Sequence, residues 1–318
     1  MSTKEVFALR KQGKLSEAYK MAKAQISEAP DDAWCVRALA WVLIDMIKSR
    51  LLANSSVENL YAELASLTLP ADDEVLREQV GWVICKMLFK LPKDQNSSRQ
   101  ISNLLHGYAK LNVERPSLLH SAILGAVLTH AEHFEKTLEF VKWWDVRCFR
   151  DEDYKTETND KGDEYPSEYV KAMRFIGKAC KKHPQLSAEM IGWLLATLKD
   201  AIERCPEEEW FPYYHGQLLI RSGNQEQATN ELLPVIRRKK SQFWAWDLLA
   251  HLCSDLSEKR MCLCRALTCR TPDHSFLVNV HLELADVFWA LDQNKEAQGE
   301  LAQVIEVRNQ KGWSCASS

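Results

Sequence analysis

Residues 223–228 read GNQEQA, a turn glycine followed five positions later by an alanine inside a run of helical periodicity. The same spacing occurs at 13–18, which read GKLSEA, and at 292–297, which read DQNKEA. Ala297 lies 69 positions after Ala228, which is close to two periods of roughly 34 residues. This recurrence predicts repeated helical hairpins, each with a short turn before its second helix.

Helical periodicity of apolar residues extends over nearly the whole chain, and no convincing run shows the alternation of a strand. Short turn clusters separate the helical runs, at 12–14, 30–32, 92–94, 221–224 and 292–294. Helices joined by such turns stack as hairpins. We therefore expect an all-α fold, an α-solenoid of roughly 15–16 helices, with Cys262 as the alanine equivalent of the repeat halfway between 228 and 297.

Composition narrows the class of protein further. A chain of 318 residues suits two domains or one extended array. The net charge is -3, so the chain as a whole has no electrostatic attraction for nucleic acid or anionic lipid. Only 11 glycines argue against an all-β or Rossmann-type protein. The ten cysteines are scattered singly in apolar helical patterns, which favours reduced thiols in a core.

The sequence also lacks targeting signals. The first fifteen residues are amphipathic and have no apolar signal-peptide core. The longest apolar stretch, 34–47, is interrupted by Arg37 and Asp45, so it is too polar to span a membrane. We expect a cytoplasmic protein without membrane attachment.

The repeat pattern resembles the tetratricopeptide-repeat (TPR) family. That family combines small and large apolar residues in the first helix, a turn glycine, and an alanine and closing proline in the second helix. Close approach of the helices is expected at Ala40, Gly216, Ala228, Ala250, Ala285 and Ala297. Large residues are expected to fill the gaps between hairpins at Leu9, Leu219, Leu232, Leu249, Phe288 and Leu301.

The repeats suggest four segments. TPR-like hairpins are predicted at 1–54, an irregular helical region at 55–205, a TPR array at 206–311 and a tail at 312–318. In the irregular region we predict helices at 57–67, 73–91, 97–112, 117–131, 133–148, 167–183 and 186–204.

An acidic stretch at 151–164 lies within the irregular region, where it is predicted to be a loop. It is either a solvated surface loop or a docking insert for a basic partner. Its surroundings are similar to a segment of TPR proteins from bacterial phage-defence gene clusters. The matching residues are Trp143, Trp144, Phe149, Arg150, Glu152, Asp153, Tyr154, Gly162, Tyr165, Pro166 and Ser167. This resemblance implies a bacterial defence or stress system, although the nucleic-acid-binding domain that often follows in that group is absent from this sequence.

A partner-binding face follows from the TPR resemblance, since partners of that family contact the first helix of each hairpin. The leading hypothesis is a non-enzymatic scaffold that binds a partner protein of unknown identity through this concave face. Its residues here are Trp34, Arg37, Trp41, Trp210, Tyr213, Gln217, Arg221, Trp244, Asp247, His251 and Trp289. The aromatic content favours a partner helix or extended segment with apolar anchors. Each tryptophan has an equally simple explanation as packing between hairpins.

One alternative function rests on a basic run. The run Arg237, Arg238, Lys239 and Lys240, followed by aromatic residues, could hold phosphates and make the chain a nucleic-acid-associated accessory protein. Alternatively, the same four cations cap a helix C-terminus.

Catalytic signatures are absent: neither phosphate-binding glycine loops nor nucleophile or metalloprotease motifs occur. His130 and His133 could chelate a metal from one helix, but no third ligand is apparent. Cys262 and Cys269 are expected two turns apart along one helix, with Cys264 on another face, so these thiols cannot share an ion. We therefore predict no catalytic residues, no metal site and no cofactor.

Overall fold

The computed structural model describes residues 3–158, 160–182 and 185–313. Sixteen α-helices lie in these residues. Contacts divide the chain into two compact units, Met1–Ala172 and Met173–Ser318. The division lies inside the region predicted as irregular, whereas the predicted boundaries near 54 and 205 separate repeat types and stay a prediction.

Unit 1 contains eight complete helices and the start of a ninth. Its first three helices form the predicted N-terminal hairpins, and the next five come from the region without a repeat pattern. The helices are α1 (Thr3–Lys11), α2 (Leu15–Glu28), α3 (Ala33–Leu52), α4 (Glu58–Ser66), α5 (Glu74–Lys90), α6 (Ser98–Lys110), α7 (Leu118–Leu128), α8 (Thr137–Trp144) and α9 (Glu168–Lys182).

Unit 2 continues from within α9 and contains seven further helices. Its main packing contacts join helices that follow one another in the sequence. These helices are α10 (Ala188–Arg204), α11 (Trp210–Arg221), α12 (Gln225–Arg238), α13 (Phe243–Leu252), α14 (Leu256–Leu267), α15 (Val278–Ala290) and α16 (Asn294–Lys311).

Three hairpin turns share one geometry. Gly13, Gly223 and Asp292 have φ angles of 75°, 80° and 59°, in the left-handed region that favours glycine. In each turn the next residue donates its amide to a carbonyl five positions earlier, at Leu9, Leu219 and Phe288, with N–O distances of 3.0, 2.9 and 2.9 Å. The recurring turn predicted from the sequence is therefore confirmed.

The residues predicted to sit where helices approach closely are all buried. Ala40, Ala228, Ala250, Ala285 and Ala297 are each 0% exposed. A Cβ built on Gly216 would lie 2.4 Å from Leu232 Cγ, so α11 and α12 require glycine at this point. Together with the turns, this packing confirms an all-α fold of stacked TPR-like hairpins.

The core of unit 1 also contains a buried polar cluster around His120. The imidazole Nδ1 lies 2.9 Å from the hydroxyl of Tyr108, and Nε2 lies 3.0 Å from the carbonyl oxygen of Trp144. The indole of Trp144 donates to the His120 carbonyl at 2.8 Å and stacks on the imidazole at 4.6 Å. Burial lowers the pKa of His120 to about 4, so the ring is neutral near pH 7.

Residues of the segment between α8 and α9 also contribute to this core. Trp144 is 0% exposed and Phe149 packs on it with ring centroids 4.7 Å apart. Asp153 is 3% exposed and accepts hydrogen bonds from Ser121 and from the Arg150 guanidinium, both at 2.6 Å. These bonds lower the pKa of the Asp153 carboxyl, although burial opposes them.

The acidic stretch 151–164 lies between α8 and α9, as the predicted loop does, but it contains local structure and the buried carboxylate of Asp153. Asp151–Tyr154 is a 3-10 turn held by Asp153, and Glu157–Thr158 pairs with Glu164–Tyr165 as a short antiparallel ladder. Residue 159 lies outside the described part.

The helix predicted at 133–148 is also shorter than expected. It starts at Thr137 and ends at Trp144, because Asp145 takes a φ of 68° and leaves the helix.

Of the predicted tail, residues 314–318 lie outside the described part. Within the described residues, no helix is both long enough and apolar enough to cross a bilayer.

Candidate binding face of unit 2

Three helices of unit 2, α11, α13 and α15, are the first helices of successive hairpins, and we call their predicted partner-binding side the first-helix face. The face carries Trp210, Tyr213, Gln217, Arg221, Trp244, Asp247, His251 and Trp289.

Aromatic rings form a continuous cluster between α11 and α13. Trp244 lies 5.6 Å from Trp210 and 5.4 Å from Tyr213, measured between ring centroids. Tyr214 adds a fourth ring, 5.4 Å from Tyr213. Trp210 is 39% exposed, whereas Tyr213 is 7% exposed and accepts a hydrogen bond from Gln217 at 2.9 Å. Trp210 is therefore accessible, Trp244 is half-buried beside it, and the two tyrosines pack on the side of the core.

A cavity of about 370 Å³ lies beside this cluster. Its lining combines apolar and polar groups from three helices: Gly177, Cys180, Tyr214, Gln217, Leu218, Ile220, Arg221, Leu248 and His251. The Tyr214 ring occupies the place of a Cβ at Gly177, since that atom would lie 2.0 Å from Cδ2. Arg221 donates to the Cys180 carbonyl at 2.5 Å, which holds its guanidinium at the cavity wall.

Charged groups converge at the next contact along the face. His251 Nε2 lies 3.3 Å from Glu283 Oε1, and the ligand-type atoms of Asp247, His251 and Glu283 all lie within 4.8 Å of one another. The hydrogen bond to Glu283 raises the pKa of His251, and the Asp247 charge adds to this shift. The sequence prediction included Asp247 and His251 but missed Glu283, and it anticipated no site of this kind.

Part of the basic run at the end of α12 forms ion pairs within its own hairpin. Lys239 Nζ lies 2.5 Å from Glu209 Oε2, and Arg238 Nε lies 3.9 Å from Glu209 Oε1. Arg237 and Lys240 are exposed. Two of the four cations thus tie the end of α12 to the residue that precedes α11. Arg237 and Arg238 lie in the last turn of α12, where the capping explanation places them, and capping itself stays a prediction.

The predicted binding residues of unit 1 lie together on α3 but are engaged with neighbouring side chains. The Arg37 guanidinium contacts Asp72 and Asp73 at 2.8 and 2.9 Å and lies 5.1 Å from the ring centroid of Trp34. Arg10 lies 4.5 Å from the ring centroid of Trp41. Trp34 is 61% exposed. Exposure makes Trp34 the most accessible of the three predicted residues.

Of the two histidines considered for metal binding, His130 has a structural role. α7 ends at Leu128, so His130 and His133 lie in turns rather than on one helix. His130 is 1% exposed, and its Nε2 lies 2.7 Å from the Leu88 carbonyl oxygen.

The alanine-equivalent position predicted for Cys262 is wrong. α14 begins at Leu256, so Cys262 is its seventh residue, whereas Ala228 and Ala297 are fourth in their helices. Its thiol lies 4.0 Å from that of Cys253.

Trp289, the last of the predicted partner contacts, lies near the end of α15 and is 46% exposed.

Residues 209–318 match a family model described as a domain of unknown function, DUF7017. No protein of curated function matches the chain.

Solved structures similar to this chain include MamA 41-end from Desulfovibrio magneticus RS-1 and the MamA RS-1 ArsTM double mutant. Each has a TM-score of 0.40 and 14% identity, over 60% of this chain and 96% of the MamA chain. A likeness of this degree assigns neither a function nor a partner.

Proposed function

We propose that this chain is a non-enzymatic scaffold that binds a partner protein through the first-helix face of unit 2. The observation that carries the proposal is the pair Trp210 and Trp244, whose rings lie 5.6 Å apart beside a cavity of about 370 Å³. Tryptophans on a rigid support are typical anchors of protein interfaces, and here Trp210 is exposed whereas Trp244 is half-buried.

The supporting layer makes these rings suitable for recognition. Tyr213 and Tyr214 are 7% and 6% exposed and contact Trp210 from the side of the core. A surface that is already ordered loses little conformational entropy when a partner binds. We propose a partner helix or extended segment that places an apolar side chain in the cavity next to Leu218 and Leu248.

A bacterial defence or stress system stays a prediction that rests on the resemblance of residues 143–167. Those residues are no part of the proposed binding face. The role as a nucleic-acid accessory protein is the second candidate, and it depends on the basic run at 237–240. The ion pairs of Glu209 with Arg238 and Lys239 count against it.

The test is affinity capture of the tagged chain from its native host at moderate salt, with and without nuclease. We expect one protein to co-purify in stoichiometric amount and to stay bound after nuclease treatment. The affinity of that purified partner should depend little on salt concentration. Partners that vanish with nuclease, or a steep loss of affinity with salt, would instead identify phosphate contacts.

Two variants locate the surface. Trp210→Ala and Trp244→Ala should each weaken binding of the captured partner at least about tenfold, because removing an interface anchor typically costs 2 kcal/mol or more. Trp313→Ala is the matched control, since Trp313 is 49% exposed but lies beyond α16. Equal affinities for all three variants and the wild type would refute the assignment of the face.

A further inference from the structure

We infer that Asp247, His251 and Glu283 form a binding site for a divalent transition-metal cation, with Mn²⁺ and Zn²⁺ as the chemically best-suited ions. This inference goes beyond the proposed scaffold function, because the site requires no partner.

Two helices bring the three ligands together. Asp247 and His251 are four residues apart on α13, so their side chains leave the same side of the helix. Glu283 comes from α15, the first helix of the next hairpin. A metal bound here would join two repeats that the turns alone leave separate.

The separations fit an ion after small rotations of the side chains. The three ligand atoms lie within 4.8 Å of one another. Ligands at about 2.0–2.2 Å from a metal lie roughly 3–3.6 Å apart. Closing the gap takes about one ångström of movement, which a carboxylate can supply by rotating about its own side-chain bonds. His251 is exposed, so further coordination positions are open to water.

Glu283 provides a second and independent observation. Its Oε1 contacts His251, whereas its Oε2 is buried and has no hydrogen-bond partner in the described part of the chain. A buried carboxylate oxygen without a donor costs free energy. A cation held between the two helices would satisfy that oxygen.

The other ion pairs between histidine and glutamate in unit 2 differ from this one. His215 and His281 each place Nδ1 2.5 Å from a single carboxylate, of Glu231 and Glu300 respectively. Neither pair belongs to a three-residue ligand group, and the group at Asp247 is the one such group found among the described residues. A simple ion pair therefore explains those histidines, but it does not account for the buried Oε2 of Glu283.

The ligand types indicate the class of metal. One imidazole and two carboxylates suit Mn²⁺, Fe²⁺, Co²⁺ and Zn²⁺, whereas thiolates prefer softer ions. The nearby thiols of Cys253 and Cys262 are therefore a competing site for Zn²⁺ but a poor one for Mn²⁺.

The experiment titrates the full-length chain, reduced and stripped with a chelator, with MnCl₂ and follows free Mn²⁺ by electron paramagnetic resonance. We expect one saturable site per chain. Glu283→Gln and Asp247→Asn, on different helices, should each weaken Mn²⁺ binding at least tenfold. His281→Gln is the matched control and should leave the affinity unchanged, and circular dichroism confirms that each variant is folded.

Zn²⁺ binding measured by calorimetry separates the triad from the thiols. The triad predicts that Glu283→Gln weakens Zn²⁺ binding and that a variant with serine at 253 and 262 retains it. The inference is overturned if Mn²⁺ does not saturate one site, or if folded Glu283→Gln and Asp247→Asn variants bind it as the wild type does. The partner-capture experiment is unaffected by that result, so the two proposals fail separately.

Discussion

Replacing Gly216 by alanine tests whether the approach of α11 to α12 is as close as the repeat pattern demands. The added methyl would lie 2.4, 2.5 and 2.8 Å from Cγ, Cδ2 and Cδ1 of Leu232. Leu232 is 0% exposed, so its whole isobutyl group has to move within a filled core. Gly192, in α10 of the same unit, offers the opposite case, because nothing lies within 4 Å of a methyl built there.

The two substitutions should change stability in opposite directions. Alanine gains roughly 0.5–1 kcal/mol over glycine inside a helix. Overpacking a core costs about 1–3 kcal/mol, and three contacts below 3 Å place Gly216 at the upper end of that range. We therefore expect Gly216→Ala to destabilise unit 2 by about 2 kcal/mol and Gly192→Ala to stabilise it by up to about 1 kcal/mol.

Urea unfolding followed by tryptophan fluorescence and by circular dichroism measures both effects. A two-unit chain can unfold in more than one step, so the transition to be compared is the one that both substitutions shift. An unchanged slope against urea shows that the midpoints report stability. If Gly216→Ala is as stable as Gly192→Ala, the two helices do not approach each other as described.

Two further predictions concern the polar cluster of unit 1. Trp144→Phe removes the 2.8 Å hydrogen bond to the His120 carbonyl and leaves a void, which should cost about 2–4 kcal/mol in urea unfolding. Trp143→Phe, where the indole is 41% exposed, should cost no more than about 1 kcal/mol, and equal losses would contradict the burial of Trp144. The pKa of His120 is about 4 in the folded chain and about 6.5 in the unfolded chain. Between pH 4 and 6.5, His120 therefore binds a proton in the unfolded chain but not in the folded one. Stability should fall by up to about 1.4 kcal/mol per pH unit as pH decreases from 6.5 to 4, and this slope should be smaller in His120→Gln when both are unfolded in urea across that range.

The hairpins could be predicted from the sequence because their determinants are local. A left-handed turn residue and an alanine five positions later act within a single turn of chain, as at Gly13 and Gly223. Asp292 could be recognised in the same way, since aspartate tolerates positive φ better than most residues. The hairpin of α13 and α14 has no such turn, so extrapolating a fixed period put Cys262 three positions out of register.

The candidate site was predictable only in part. The partner-contact positions implied by the TPR resemblance included Asp247 and His251. Glu283 belongs to the next hairpin, and its contact with His251 depends on how two helices pack. The burial of Asp153 was hidden for the same reason. Its partner Ser121 lies 32 positions earlier, and a run of acids predicts solvent exposure unless such a partner is known.

The packing of unit 2 between consecutive helices has a consequence for how this half of the chain acquires its structure. Each helix of unit 2 packs chiefly on the helices next to it in the sequence. The sequence separation between contacting residues is therefore short, and the entropic cost of closing the loops is small. A nascent chain can therefore pack Leu232 against Gly216 as soon as α12 has left the ribosome. Synthesis and folding of these repeats can then advance together, with little apolar surface exposed at any stage.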